Sequence, residues 1–117
     1  MILVNCTHGR EDAERATLPF VVGNVSATAA QPTVVLLTCD GVWLATKGYA
    51  DDIEQSGLPP LRDVLRSYVD AGGEVWACGA CTKPRGITES DLVTGAKIVT
   101  AANVVELMAG SASTLSF

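Results

Sequence analysis

Four apolar residues in succession, Val34-Val35-Leu36-Leu37, set the strongest constraint on what this chain can fold into. The run is β-branched at its start and offers no polar residue to either side, which suits a strand buried on both faces. Covering both faces requires helices above and below the sheet, and parallel sheets get them from the crossovers between successive strands. The remaining sequence supplies that alternation. Strands are predicted over Ile2–Cys6, Thr33–Thr38, Glu74–Cys78 and Lys97–Thr100, with a weaker one over Thr114–Phe117. A helical stretch from Glu11 to about Ala30 opens with acidic residues that suit the positive end of the helix dipole, and Pro19 is expected to kink or divide it. A second helix, Pro60–Ala71, starts on proline, stops at Gly72-Gly73, and lines up Leu61, Val64, Leu65 and Tyr68 on one face. Thr88-Glu89-Ser90-Asp91 has capping-box spacing, with Asp for the usual Glu or Gln, and predicts a short helix ending at Gly95. Ala102–Ala109 forms the last helix. The irregular stretch 47–59 is expected to be mobile and to border a site. Residues 1–117 therefore predict one domain, a three-layer α/β/α sandwich with a five-stranded, mainly parallel sheet.

Composition narrows the partners. Hydrophobic residues make up 48% of the chain, and the 11 glycines raise that to about 57%, above the usual share; charged residues are only 18%. No apolar run approaches the roughly 20 residues that span a bilayer. The surplus is expected to be covered by copies of the same chain, because large exposed apolar patches are rare in monomers. A net charge of −5, with Lys47, Arg62, Arg66, Lys83 and Arg85 scattered, argues against a nucleic-acid partner. The N-terminal residues have no basic region ahead of an apolar core, so no signal peptide is expected. That places the protein in the cytoplasm, where thiols are reduced.

The sequence carries four cysteines and a single histidine. Strands of a parallel sheet end at a common edge, where open α/β sheets place their ligands. Cys6, Cys39 and Cys78 each close a predicted strand, Cys81 follows one turn later, and His8 and Asp40 lie just past two of these ends. All are expected on one rim. Within Cys78-Gly79-Ala80-Cys81-Thr82-Lys83-Pro84-Arg85-Gly86, two cations follow a Cys-x-x-Cys pair, and nearby positive charge favours the reactive thiolate. Cys78 is the expected nucleophile. Cys6 and Cys39 are expected to serve packing, as free cysteine commonly does. Cys81 fits either role. His8 and Asp40, with Lys83 and Arg85, are the candidate binding residues; a lone histidine more often makes a structural hydrogen bond than acts as a base, and Arg85 either shapes a turn or binds an anion. Pro84 and Arg85-Gly86 predict a loop after Cys78, unlike the helix that follows a thioredoxin-type pair.

Other chemistries lack their signatures. The chain has no Gly-x-Gly-x-x-Gly, no Walker loop and no Gly-x-Ser-x-Gly elbow. A metal site built from Cys6, His8, Cys39 and Cys78 or Cys81 is a weak alternative, since structural zinc usually needs two close ligand pairs. No cofactor is called for.

Several segments together resemble the DsrE/DsrF-like family. They are Thr7-His8-Gly9, Ala13 through Phe20, Asp40 through Tyr49, Gly72-Gly73-Glu74-Val75 leading to Cys78 and Cys81, Arg85-Gly86-Ile87, and Asp91-Leu92 with Gly95 through Val99. The resemblance implies a mainly parallel five-stranded sheet and assembly as homotrimers or homohexamers. It also implies a sulfurtransferase-like carrier role, with Cys78 at the persulfide-bearing position and Cys81 matching a second cysteine of one predicted peroxiredoxin-like branch. On this reading Cys78 takes sulfur from a persulfide donor protein and passes it to an acceptor. Backbone N–H groups of residues 79–81, with Lys83 or Arg85, stabilise the anion, and Cys81 either serves as resolving thiol or protects the carrier from over-oxidation. Two alternatives remain open: thiol–disulfide or peroxide chemistry at the Cys78/Cys81 pair, and a non-catalytic oligomeric binding protein.

Overall fold

The computed structural model describes residues 1–117. Five strands, β1 (Ile2–Cys6), β2 (Thr33–Leu37), β3 (Glu74–Cys78), β4 (Ala96–Val99) and β5 (Ser113–Ser116), form one sheet in the order β4-β3-β2-β1-β5. Every pairing is parallel. The helices are α1 (Ala13–Thr28), α2 (Leu61–Asp70), the single turn α3 (Gly79–Thr82) and α4 (Ala101–Ala109). From β1 to β4 the chain steps outward in one direction, then crosses back over the sheet to lay β5 beside β1. Right-handed crossovers put the helices of the outward steps on one face and the helix of the return step on the other. Accordingly α1 and α2 cover one face, and Val104 and Leu107 of α4 pack on the opposite one.

The two faces are buried unequally. Twenty buried residues fill the α1/α2 side, including Val4, Phe20, Val35, Leu37, Leu61, Leu65, Tyr68 and Val75. Only Leu3, Val34, Leu36, Trp76 and Val99 form the core under α4. The central strand β2 contributes to both, which explains why every one of its five residues is buried. Tyr68 locks α2 onto the sheet. Its ring meets Phe20 edge-on at 5.8 Å. Its hydroxyl donates to the Glu74 carbonyl at 2.6 Å and accepts from the Val35 N–H at 3.1 Å, joining β3 to β2.

Three predicted features differ. Helix α1 is continuous through Pro19, and Asp12 caps it by accepting from the Arg15 N–H at 3.0 Å. The missing proline N–H leaves the Arg15 carbonyl without its helical donor, and Cys6 Sγ lies 3.7 Å from that oxygen. The capping box at Thr88 forms, with the Thr88 N–H donating to Asp91 Oδ2 at 2.8 Å, but it starts only a 3-10 turn over Glu89–Asp91. Leu92 returns to extended backbone and bridges to Thr46, so no helix reaches Gly95. The stretch 47–59 contains a 3-10 turn over Tyr49–Asp52, and Ala50 and Ile53 are buried beneath it. Arg10 fastens that turn, donating to the Tyr49 carbonyl at 3.0 Å and to Asp52 at 3.1 Å.

Candidate functional site

Strands β1, β2 and β3 all end at one edge, yet their cysteines divide into two environments. Cys6 is level with Leu37, which is level with Ala77, so Cys78 ends one residue higher. With β2 between them, the β1 and β3 backbones stand roughly 10 Å apart. Cys6 is completely buried, and its Sγ donates to the His8 carbonyl at 3.3 Å. Burial pushes its thiol up to about 12. This is the packing role expected of it, and it keeps the thiolate out of reach at neutral pH.

Cys39 breaks the same expectation. Strand β2 stops at Leu37, and the Thr38 N–H donates to the Cys6 carbonyl at 2.9 Å. Cys39 then takes the left-handed φ of 52°, uncommon for a residue with a Cβ, and starts a 3-10 helix over Cys39–Ala45. The turn is held close to β1 because a Cβ on Gly41 would stand 2.5 Å from the Cys6 carbonyl oxygen. Only glycine fits there. The reversal leaves Cys39 exposed to solvent and aims its N–H at Cys81 Sγ, 3.2 Å away.

Cys78 is the last residue of β3 and the N-cap of α3, and both Cys78 and Cys81 are partly exposed. The predicted loop after Cys78 is instead helical. Thr82 is buried and donates to the Gly79 carbonyl at 3.2 Å, and Lys83–Arg85 continue as a 3-10 turn that accommodates Pro84 near its start. Cys81 sits between its two sulfur neighbours. Burial, then Cys78 and Cys39 beside it, push its thiol above the ordinary range, against the Cys39 N–H, which favours the thiolate. Cys81 therefore holds its proton more firmly than an exposed thiol.

Asp40 and Arg85, expected separately on the rim, are one ion pair. Arg85 donates from Nε at 3.1 Å and Nη2 at 2.8 Å to Asp40 Oδ1, and from Nη1 to the Cys81 carbonyl at 3.0 Å. The guanidinium thus ties the turn after β2 to the helical turn after β3. Lys83 is exposed two residues beyond Cys81. His8 stays with its own loop, its Nδ1 3.4 Å from Glu11 Oε1. The weak metal alternative finds no ligand set: Cys6 is sealed and bonded to backbone, and no three His, Cys, Asp or Glu side chains are arranged to hold an ion. Sequence reasoning missed the Cys39 backbone N–H as a partner for Cys81. The one signal was Asp40-Gly41, a turn pair that marks where β2 must stop.

Comparison with known proteins agrees with this architecture. The model of the DsrE/DsrF-like family matches residues 1–117. The uncharacterized protein MJ0760 of Methanocaldococcus jannaschii is 30% identical over 98 residues, which cover 84% of this chain but 35% of that protein. The uncharacterized protein MK0008 of Methanopyrus kandleri is 28% identical over 117 residues, all of this chain and 91% of its own. The chain thus spans about a third of the first relative and nearly all of the second. Among solved structures, the ychN protein from E. coli superposes with a TM-score of 0.81 at 18% identity, covering 99% of this chain and 97% of its own. MTH1491 of Methanobacterium thermoautotrophicum, a protein of unknown function, gives 0.66 at 17% identity over the full length of both. At these identities the likeness is one of fold.

Proposed function

Because the chain belongs to the DsrE/DsrF-like family, we propose that it carries sulfur as a persulfide on Cys78, with Cys81 as its resolving thiol. The observation that carries this reading is the gathering of Cys78, Cys81 and the Cys39 amide at one open edge. The Cys78 thiolate attacks the terminal sulfur of a donor persulfide, and the donor leaves as its thiolate. Either an acceptor thiolate then takes that sulfur, restoring Cys78, or Cys81 attacks the Cys78 Sγ. In the second case hydrosulfide departs and a Cys78–Cys81 disulfide remains. Lys83 contributes positive charge near this chemistry, while Arg85, paired with Asp40, fixes the loop that presents Cys81.

The test is intact mass measurement after exposure to a small-molecule persulfide. Wild-type protein should gain the mass of one added sulfur atom, and Cys78→Ala should gain none. Equal loading of both would reject the assignment.

A second reading draws support from the helical turn Gly79–Thr82. A Cys-x-x-Cys pair that ends a strand and opens a helix is the arrangement of thiol–disulfide oxidoreductases, so dithiol redox chemistry is the runner-up. A reduction potential in the range of such enzymes, without sulfur loading, would favour it.

The proposal also includes self-association as a trimer or hexamer and a reducing, cytoplasmic setting. The thinly covered side of the sheet supports the first. Val105 is 65% and Met108 48% exposed on α4. Burial against further copies of the chain would cover these side chains, since large exposed apolar patches are rare in monomers. Light scattering should report a multiple of the chain mass, reduced by a Val105→Glu, Met108→Glu double variant.

A further inference from the structure

The site holds one thiol more than the chemistry above uses. Cys39 is exposed, whereas Cys78 and Cys81 are partly covered. Its N–H reaches Cys81 Sγ at 3.2 Å. Given an N–Cα bond of about 1.46 Å, the Cys39 Cα stands within about 4.7 Å of that sulfur. That separation is short enough for the exposed side chain, turning about its Cα–Cβ bond, to carry its Sγ toward Cys81.

We propose that Cys39 takes over the disulfide from the Cys78–Cys81 pair, freeing Cys78 and moving the oxidised bond to the surface. The Cys39 thiolate attacks Cys81 Sγ, a Cys39–Cys81 bond forms, the Cys78–Cys81 bond breaks, and its electron pair leaves on Cys78. The exchange is redox-neutral, and the proton given up by Cys39 is matched by the one Cys78 can take. An external dithiol then reduces the exposed Cys39–Cys81 bond and returns both thiols. Direction follows from burial. Attack on Cys78 would have to expel the Cys81 thiolate, which its surroundings disfavour, whereas attack on Cys81 expels Cys78. The left-handed backbone at Cys39 belongs to the same device, since it aims the residue at Cys81.

This inference rests on the carrier reading, or its dithiol runner-up, only for the origin of the Cys78–Cys81 disulfide. The full chain is oxidised with stoichiometric diamide, which takes up the two thiol hydrogens, then alkylated and mapped by peptide mass spectrometry. Wild type should yield both Cys78–Cys81 and Cys39–Cys81, and Cys78→Ser should yield Cys39–Cys81 alone. Cys39→Ser, at an exposed position that leaves the core intact, should be reduced by dithiothreitol severalfold more slowly than wild type. A wild-type protein that forms only Cys78–Cys81, together with a Cys78→Ser variant that stays reduced, overturns the proposal. So does unchanged reduction of Cys39→Ser. Sulfur loading on Cys78 without any Cys39–Cys81 bond would sink this inference alone, and the bond without loading would sink the carrier reading alone.

Discussion

Cys6 closes β1, Cys39 lies two residues past the end of the neighbouring parallel strand β2, and the two have opposite fates. At Cys6 the chain continues extended into a loop that α1 covers, and the sulfur ends fully buried against the His8 and Arg15 carbonyls. At Cys39 the backbone flips to positive φ, and the residue ends exposed with its N–H on Cys81 Sγ. Position along a strand therefore selects the edge, while the cysteine's own backbone conformation decides between core and site. Hydrophobicity of the residue decides neither.

That contrast can be broken most forcefully by placing a charge at each position. Cys6→Asp should cost about 4 kcal/mol or more by chemical denaturation, because a carboxylate would lose its hydration with no cation beside it. The same change at Cys39 should cost less than about 1 kcal/mol. Comparable losses at the two would remove the distinction.

Alkylation sharpens the comparison without mutation. Iodoacetamide under native conditions should label Cys39 faster than Cys6, by a ratio on the order of a thousandfold, since Cys6 reacts only through unfolding. Site-resolved mass spectrometry reads the order directly.

A third check uses pH. Burial raises the thiol of Cys6 to about 12 and raises the phenol of Tyr68 as well. A group whose folded-state pKa is raised binds more protons folded than unfolded between the two values, so stability must fall as pH climbs through that window. Stability should hold below about pH 8.5, where an unfolded thiol stays protonated, and decline from there toward pH 12. Cys6→Ala should flatten the decline. The smallest effect is expected from Asp40→Asn. It removes the carboxylate that Arg85 grips, should lower the melting temperature only slightly, and should speed alkylation of Cys81 as the two turns loosen.

The sheet was legible because its signal is dense. Val34 through Leu37 can only be a strand covered twice, and Pro60 with Gly72-Gly73 brackets α2 almost to the residue. The rim loops were harder, since their conformation depends on tertiary contacts that no local pattern encodes. Pro19 leaves α1 unbroken because its costs fall on a carbonyl that Cys6 happens to approach. The helical turn after Cys78 forms despite Pro84, because proline is tolerated in a first turn, and there it opens a new 3-10 segment. The residues proposed for the site were all named from sequence, but not their grouping. Asp40 with Arg85 and Cys39 with Cys81 are pairs across 45 and 42 positions, and only the alignment of β2 with β3 brings them together.

The central claim is that sulfur arrives at the end of β3 and nowhere else. Wild-type protein should be exposed briefly to a persulfide, digested, and the sulfane sulfur assigned peptide by peptide over time. The account predicts first appearance on Cys78, with Cys6 unmodified throughout. First appearance on Cys39 or Cys6, or equal and simultaneous modification of all four cysteines, would contradict it.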